Sequence, residues 1–301
     1  SSEAASTEAA STEAASTEAA SSEAASTEAA ATEIPSTEAV TTGEPAESSV
    51  ASSIAPECLA GQVATKKDGV LTIGTDKPGY PPYIVDDDPT NGQGFESAVA
   101  YAVAARLGFG KDAVKWKVVP FNSSYKPGDK GFDFDINQIS ITDARKKAVD
   151  FSQPYYTAPQ AVVTTEGSKI AGATSIAELS GAKLGAQIGT TSLDASKDIL
   201  GVGPQVFDGT DAATAALKNK QIDGIVADLP TAIYLANAVL DKGKVLGQFQ
   251  APGGDQWGLL VQKGSSLTPC LDQALTAMQA DGELDQITQQ WMGADTAPEL
   301  K

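Results

Sequence analysis

The sequence predicts an α/β fold in which sheets are flanked by helices, and one repeated pattern leads to this class. From about residue 70 onward, short apolar runs of strand length alternate with segments whose apolar residues recur at helical spacing. Such alternation is typical of parallel sheets covered by helices. Because ligands of these sheets bind beyond the carboxyl ends of the strands, we expect the functional residues directly after strands.

The predicted elements follow one another along the chain. Strands are expected at about residues 70–74, 114–119, 132–136, 183–188, 222–227, 245–249 and 257–261. Helices are expected at about residues 95–107, from about 142, and at 192–199, 211–219, 229–240, 267–280 and 283–291. In the first helix Phe95, Val99, Val103 and Leu107 recur at helical spacing, and Gly108 stops the helix.

Residues 1–57 predict a disordered, low-complexity tether. They contain eleven Glu and no Asp, Lys or Arg, and residues 1–30 repeat the unit Ser-(Thr/Ser)-Glu-Ala-Ala. The repeat has no large apolar side chain, so it cannot form a core. A coil of this length spans roughly 40 Å, which suits a spacer between a membrane anchor and a domain. We expect a lipid-modified cysteine before Ser1 in the native protein; an acidic solubilising tail without an anchor is the alternative.

Charge and composition exclude several function classes. The formal net charge is −18 and no basic run is present, which argues against nucleic acid as a partner. The chain has no histidine, the commonest general base and metal ligand, so we expect neither a metal site nor a cofactor. Gly92-Gln93-Gly94 is too short for a dinucleotide fingerprint and indicates a turn before a helix.

Two cysteines, Cys58 and Cys270, lie at opposite ends of the part expected to fold. In an exported protein they could form a disulfide that ties the N-terminal entry of the fold to a C-terminal helix. Two unrelated buried thiols are the alternative.

Four segments that follow predicted strands carry polar groups suited to a zwitterion. They are residues 74–83, 138–156, 187–192 and 227–230. The second segment contains Ile-Thr-Asp-x-Arg-Lys-Lys followed by Asp-Phe-Ser-x-Pro-Tyr-Tyr, and the third contains a Gly-Thr-x-Ser turn. With Gly94-Phe95 and the Asp-x-Pro of the fourth segment, these blocks resemble the polar amino-acid-binding proteins of ABC importers, solute-binding protein family 3, over about residues 65 to 295.

The resemblance implies a two-lobe fold of the type II periplasmic-binding-protein class. Each lobe would be a sheet flanked by helices, and two hinge segments would cross between the lobes. The first lobe would comprise residues 62–154 and 256–301, and the second residues 160–251. The crossings would lie near residues 155–159 and 252–255. Both cysteines would then belong to the first lobe, which makes their disulfide plausible.

The resemblance also implies how the two charged ends of an amino acid are held. Arg145 matches the arginine that clamps the ligand α-carboxylate, since a guanidinium presents a planar fork of donors to a carboxylate. Backbone N–H groups at Ser140 and Thr191 would assist it, the latter at a helix N-terminus. A surface salt bridge to Asp143 or Asp150 is the alternative for Arg145.

Asp228 matches the acceptor of the ligand α-ammonium, and an N-cap of the helix that follows is the alternative. Tyr80 and Phe121 resemble two aromatics that sandwich the ligand side chain, with ordinary core packing as the alternative for each. Asp76 would read the far end of the ligand. Glu96 is either a first-turn acid favoured by the helix dipole or a second acid near the pocket. The candidate ligand-binding residues are Asp76, Tyr80, Phe121, Gln138, Ser140, Arg145, Gln187, Thr190, Thr191 and Asp228.

The function expected from the resemblance is capture of a polar amino acid by hinge closure, followed by delivery to a membrane permease. A basic or amide side chain is favoured, and a monomeric, extracytoplasmic, non-enzymatic protein is expected. Two alternatives remain open: a ligand-binding sensor domain, and an enzyme of the dehydratase kind on the same fold. The second would need a general acid or base without histidine, from Asp76, Glu96 or a lysine.

Overall fold

The computed structural model describes residues 54–201, 203–251, 254–293 and 296–301, which belong to one compact unit. The predicted tether therefore lies almost wholly outside the described residues. Residues 54–57 are an exception, because Ile54 and Ala55 pack against the first core and Pro56–Cys58 forms a 3₁₀ turn. The boundary expected at residue 57 is therefore too late.

Ten strands and eight α-helices occur in the described part of the chain. The strands are β1 (Leu71–Thr75), β2 (Val114–Val118), β3 (Phe134–Asp135), β4 (Val149–Ala158), β5 (Gln160–Thr165), β6 (Leu184–Gln187), β7 (Gln205–Phe207), β8 (Gly224–Asp228), β9 (Gly243–Phe249) and β10 (Asp255–Gln262). The helices are α1 (Phe95–Arg106), α2 (Phe121–Ser124), α3 (Asp143–Lys146), α4 (Thr191–Asp198), α5 (Thr210–Lys218), α6 (Leu229–Tyr234), α7 (Thr268–Ala280) and α8 (Glu283–Met292). A π-helical turn, Leu235–Val239, continues α6.

The strands form two five-stranded sheets, in the orders β2-β1-β3-β10-β4 and β7-β6-β8-β5-β9. This arrangement confirms the predicted α/β class with two sheets. Both sheets are mixed, so the expectation of parallel sheets is wrong in part. Strand β10 runs antiparallel to β3 and β4, and β5 runs antiparallel to β8 and β9. The prediction also missed β4, β5 and β7.

Each sheet carries an apolar core on both faces, which makes each half of the fold a separate lobe. In the first lobe, α1, α7 and α8 pack over one face and a smaller cluster around Val119 and Leu260 covers the other. In the second lobe, α5 and α6 cover one face and α4 lies over the other. The polar strand ends of the two sheets therefore remain available for a site between the lobes.

The chain passes between the sheets at positions close to the predicted crossings. Only Pro159 separates β4 from β5, and residues 155–158, predicted as hinge, belong to β4. The second crossing joins β9 to β10, which begins at Asp255; residues 252 and 253 lie outside the described residues.

The last described residues return to the second lobe. Glu299 forms a β-bridge with Gln248, and Leu300 is 5% exposed within the core that also contains Leu246. The expectation that the first lobe extends to residue 301 is therefore wrong for residues 296–301. The physical reason is that Leu300 fills an apolar core of the second lobe, which a local sequence pattern does not reveal.

Cys58 and Cys270 form a disulfide, with their Cα atoms 5.2 Å apart. The predicted bridge is confirmed, and it ties the N-terminal 3₁₀ turn to α7 across 212 residues of chain. Among the described residues, no helix is long and apolar enough to cross a lipid bilayer.

Candidate functional site

A cleft of about 810 Å³ lies between the strand ends of the two sheets. Nine of the ten predicted site residues line it, namely Asp76, Tyr80, Phe121, Gln138, Ser140, Gln187, Thr190, Thr191 and Asp228. The first five belong to the first lobe and the others to the second. The folding of the chain thus brings together strand-end segments that are up to about 150 residues apart in sequence.

Arg145, the tenth predicted residue, does not line the cleft. Its side chain is 8% exposed and donates to the Ser140 carbonyl at 2.7 Å and to the Gly189 carbonyl at 2.9 Å. The guanidinium carbon lies 4.7 Å from the centre of the Tyr125 ring, a cation–π distance. Within the described ranges Arg145 has no ion pair to a carboxylate, so the predicted alternative of a surface salt bridge is wrong.

Gly189 is the point at which the second lobe lies closest to Arg145 and its neighbours. The residue has φ +76°, and a Cβ built on it would overlap the side chains of Asn122 and Tyr125 in the first lobe. Its carbonyl accepts from Arg145 at 2.9 Å and from the Tyr125 hydroxyl at 3.5 Å. A side chain at this position would require the ends of Asn122 and Tyr125 to shift, whereas glycine permits the close approach as it stands.

Ser140 and Thr191 meet across the cleft, with their hydroxyl oxygens 3.2 Å apart. Thr190, the neighbour of Thr191, is the N-cap of α4: its hydroxyl accepts from the Leu193 N–H at 3.2 Å and donates to the Gln187 carbonyl at 2.7 Å. The side chain of Thr190 therefore orders the start of the helix, while that of Thr191 is directed toward the first lobe.

Asp228 ends β8 and lies at the N-cap position of α6, but its side chain makes no capping hydrogen bond. Instead it accepts from the Gln160 amide at 2.5 Å. Burial, together with the charge of Asp255, raises the pKa of Asp228 well above its usual value. The predicted capping alternative is wrong, and the carboxylate faces the cleft.

Two further polar residues, Gln160 and Asp255, stand behind Asp228 and Thr191 and were missed from the sequence. The Gln160 amide donates to both Asp228 and Asp255, and the Thr191 hydroxyl donates to Asp255 at 2.6 Å. The available signal was Gln160 itself, a polar residue that opens the apolar run 161–163.

The aromatic walls of the cleft come from both lobes. Tyr80 stacks on Tyr234 of the second lobe with ring centres 5.5 Å apart. Burial raises the pKa of Tyr80 to about 12, so its hydroxyl stays protonated. Tyr83 reaches across to Thr231, with 2.9 Å between the two hydroxyl oxygens. The sequence did not single out Tyr83, Thr231 or Tyr234.

The polar groups at the far side of the cleft are already hydrogen-bonded within their own lobes. Asp76 accepts from the backbone N–H groups of Phe121 at 3.1 Å and Lys77 at 2.7 Å, which holds α2 against the end of β1. The Gln187 side chain accepts from the Thr210 hydroxyl at 3.0 Å.

Glu96 lies beneath the cleft and does not line it. It is a first-turn residue of α1, as one alternative expected, but it is fully buried. Its carboxylate accepts from the Gln138 N–H at 2.6 Å, from the Tyr155 hydroxyl at 2.5 Å and from the Gln138 amide. These bonds hold Gln138, which has φ +46°, at the wall of the cleft. Burial raises the pKa of Glu96 to about 7, against the opposing effect of its hydrogen bonds.

Glu96→Gln is expected to change how stability depends on pH. The folded protein retains the Glu96 proton to pH about 7, whereas the unfolded chain loses it near 4.5. The contribution of Glu96 to the free energy of unfolding therefore falls by about 3 kcal/mol as the pH rises from below 4.5 to above 7. Relative to wild type, the glutamine variant should gain stability over that range in chemical denaturation. The exposed Glu166→Gln is the control, and a constant difference across pH would contradict this assignment.

Comparison with known proteins identifies the family. The family described as "Bacterial extracellular solute-binding proteins, family 3" matches residues 71–294. The chain belongs to this family. The family match agrees with the expected extracytoplasmic location and with the resemblance of the strand-end segments.

Relatives of this family 3 protein include the L-cystine-binding protein TcyJ of Escherichia coli K12. The two are 30% identical over 246 residues, which is 81% of this chain and 89% of TcyJ. Among solved structures, an ancestral arginine-binding protein bound to arginine superposes with a TM-score of 0.63 at 32% identity, over 75% of this chain and 99% of that one. An ancestral amino acid-binding protein described as a precursor of cyclohexadienyl dehydratase matches with a TM-score of 0.60 at 30% identity, over 74% and 95%.

Proposed function

We propose that this family 3 protein captures a polar L-amino acid in the cleft by hinge closure and delivers it to the permease of an ABC transporter. The observation that carries the proposal is the arrangement of opposite charges around one cavity. The cationic Arg145 stands behind one wall beside Ser140, and the carboxylate of Asp228 faces the cleft from the other lobe. A zwitterion is the small solute that such a pair would bind most strongly.

The carboxylate end of the ligand would lie against the first lobe. Two of the five N–H bonds of Arg145 are directed to the Ser140 and Gly189 carbonyls, which fixes the orientation of the guanidinium. Ser140 adds a hydroxyl donor 3.2 Å from the Thr191 hydroxyl, whose own proton is donated to Asp255. We propose that the remaining N–H groups of the guanidinium, with the Ser140 hydroxyl, donate to the ligand α-carboxylate when it enters.

The charge of the cleft favours a ligand with a basic or amide side chain. Its charged lining residues are four acids, Asp76, Asp208, Asp211 and Asp228, and two bases, Lys77 and Lys218. After Asp228 is assigned to the α-ammonium group, Asp76 remains beside Tyr80 and Phe121 as an acceptor for a distal cation or N–H group. Relatives whose names specify cystine and arginine agree with a polar ligand.

Hinge closure is supported by contacts that exist only when the lobes are together. Arg145 to Gly189, Tyr83 to Thr231 and Ser140 to Thr191 all join one lobe to the other. A ligand that contacts both lobes binds this arrangement better than an open one and shifts the population toward it. We also propose a monomer that a lipid-anchored N-terminal tether holds at the outer face of the cytoplasmic membrane.

A thermal-shift panel tests the amino-acid assignment. The protein would be unfolded and refolded with its disulfide intact to remove bound solute, then mixed with the twenty amino acids, ornithine, citrulline and cystine. A ligand that binds only the folded state raises Tm with its concentration. We expect one or a few polar amino acids to raise Tm by several degrees. If simple carboxylates or cyclic acids act and amino acids do not, the assignment is wrong.

The dehydratase alternative has one observation in its favour, the structural likeness to the ancestral precursor of a cyclohexadienyl dehydratase. Against it, Glu96 lies outside the cleft lining, and Asp76 is engaged with two backbone N–H groups. Lys77, a lysine of the lining, pairs with Asp87 at 3.0 Å. We therefore propose a binding protein without turnover. Conversion of a cyclic acid by the purified protein would reverse this choice.

A further inference from the structure

Gln160 and Asp255 occupy matching positions at the two crossings between the lobes. Gln160 is the first residue of β5, directly after Pro159, and it is paired in the second sheet with Asp228 and Phe249. Asp255 is the first residue of β10 and is paired in the first sheet with Ala158. Each residue therefore belongs to the strand pairing of its sheet that lies nearest to the hinge.

A network of hydrogen bonds connects these two side chains to the cleft. The Gln160 amide nitrogen donates to Asp228 at 2.5 Å and to Asp255 at 2.6 Å. Asp255 accepts in addition from the Thr191 hydroxyl at 2.6 Å, and Thr191 lies 3.2 Å from Ser140. Asp228, Thr191 and Ser140 line the cleft, whereas Gln160 and Asp255 do not.

The hydrogen bonds of this network do not satisfy all of its buried polar atoms. The two N–H donors of the Gln160 amide lie between the carboxylates of Asp228 and Asp255. Gln160 is 0% exposed and Asp255 is 3% exposed. One oxygen of each, Gln160 Oε1 and Asp255 Oδ1, is buried without a hydrogen-bond partner among the described residues. The charge of Asp255 repels negative charge on the buried Asp228 and so opposes its ionisation, and burying an unsatisfied acceptor costs free energy. A cation placed on Asp228 would relieve that repulsion and strengthen the bonds between the carboxylates and Gln160.

We propose that Gln160 and Asp255 are positioning residues that couple the ligand ammonium group on Asp228 to the two crossing strands and so favour the closed cleft; this rests on the amino-acid binding proposed above. The ammonium group of the ligand places a positive charge on Asp228. The hydrogen bonds from Gln160 to Asp228 and Asp255 then become stronger, and Asp255 holds Thr191 toward Ser140. Neither residue touches the ligand.

Two variants separate this role from simple support of the fold. Asp255→Asn keeps the shape and removes one charge, and Gln160→Met keeps the length and removes both donors. Calorimetric titration would use L-arginine, L-glutamine and L-cystine as probes. We expect Gln160→Met to weaken the affinity of whichever probe binds wild type by about 10- to 100-fold, and Asp255→Asn by about 3- to 10-fold. Matched controls are the exposed Gln256→Met and Asp198→Asn, which should bind within twofold of wild type.

The double variant, Gln160→Met with Asp255→Asn, tests directly whether Gln160 acts by separating two like charges. Because Asp255→Asn removes the repulsion that Gln160→Met leaves unscreened, the double variant should bind no more weakly than Gln160→Met alone. Additive losses would contradict the coupling.

Hydrogen exchange of the full chain gives the second measurement. In wild type, the bound probe should increase protection of residues 157–161 and 254–257, and this increase should be lost in both single variants. A merely structural role would change exchange equally with and without the probe, and that result would overturn the proposal. If wild type binds none of the amino acids in the thermal-shift panel, the amino-acid function itself fails, and the coupling fails with it. If wild type binds and the variants bind and close as it does, only the coupling fails.

Discussion

Replacement of Arg145 by methionine is expected to weaken amino-acid binding by about 100-fold or more. Loss of one partner from a buried charge pair costs about 3–5 kcal/mol, and the ligand α-carboxylate would lose its only arginine partner near the cleft. The other arginine in the chain, Arg106, lies in the last turn of α1 and does not line the cleft. Titration calorimetry with the amino acid that gives the largest thermal shift would measure the loss.

Arg106→Met is the matched control for this experiment. Arg106 pairs with Asp281 at 2.5 Å and Glu283 at 2.6 Å, and these contacts join α1 to the C-terminal helices. Its replacement should lower Tm slightly and leave affinity unchanged. Arg145→Lys should recover only part of the loss, because an ammonium group cannot present the planar fork of donors. Wild-type affinity in Arg145→Met would remove the residue from the binding site.

Gly189→Ala is expected to disfavour full closure and to lower affinity by about 3- to 10-fold, although Gly189 need not contact the ligand. The new Cβ would overlap the ends of the Asn122 and Tyr125 side chains of the first lobe, which must shift before the lobes can approach as they do here. Steric overpacking costs about 1–3 kcal/mol, and the lower end applies because both overlapped groups are the ends of flexible side chains. The cost is felt only in the closed arrangement. The ligand dissociation rate, measured by stopped-flow fluorescence, should rise while the association rate changes little.

Backbone strain is separated from steric overlap by a second glycine. Gly181 has φ +73°, close to the +76° of Gly189, but a Cβ built there meets nothing within 4 Å. Gly181→Ala should therefore reproduce the loss of stability and none of the loss of affinity. Equal affinity in the two variants would mean that this contact between the lobes does not accompany binding.

The sequence by itself determined most of the elements and the chemistry of the site. Apolar periodicity depends on neighbours within a few residues, so it located α1, α7 and β1 closely. The polar blocks after strands contain eight of the nine predicted residues that line the cleft, because parallel strands in one sheet place their carboxyl ends together. The ninth, Phe121, was indicated by the family resemblance. The pairing of Cys58 with Cys270 was also within reach, since the chain offers only one partner for each.

Only the tertiary structure decided how the two lobes are joined. The antiparallel entry of β5 and the return of Leu300 to the second lobe depend on contacts with distant strands, which leave no local period. The same holds for Gln160 and Asp255, which meet across 95 residues of chain. A buried polar side chain is defined by its partners, and partners that lie far apart in sequence become neighbours only when the sheets have formed.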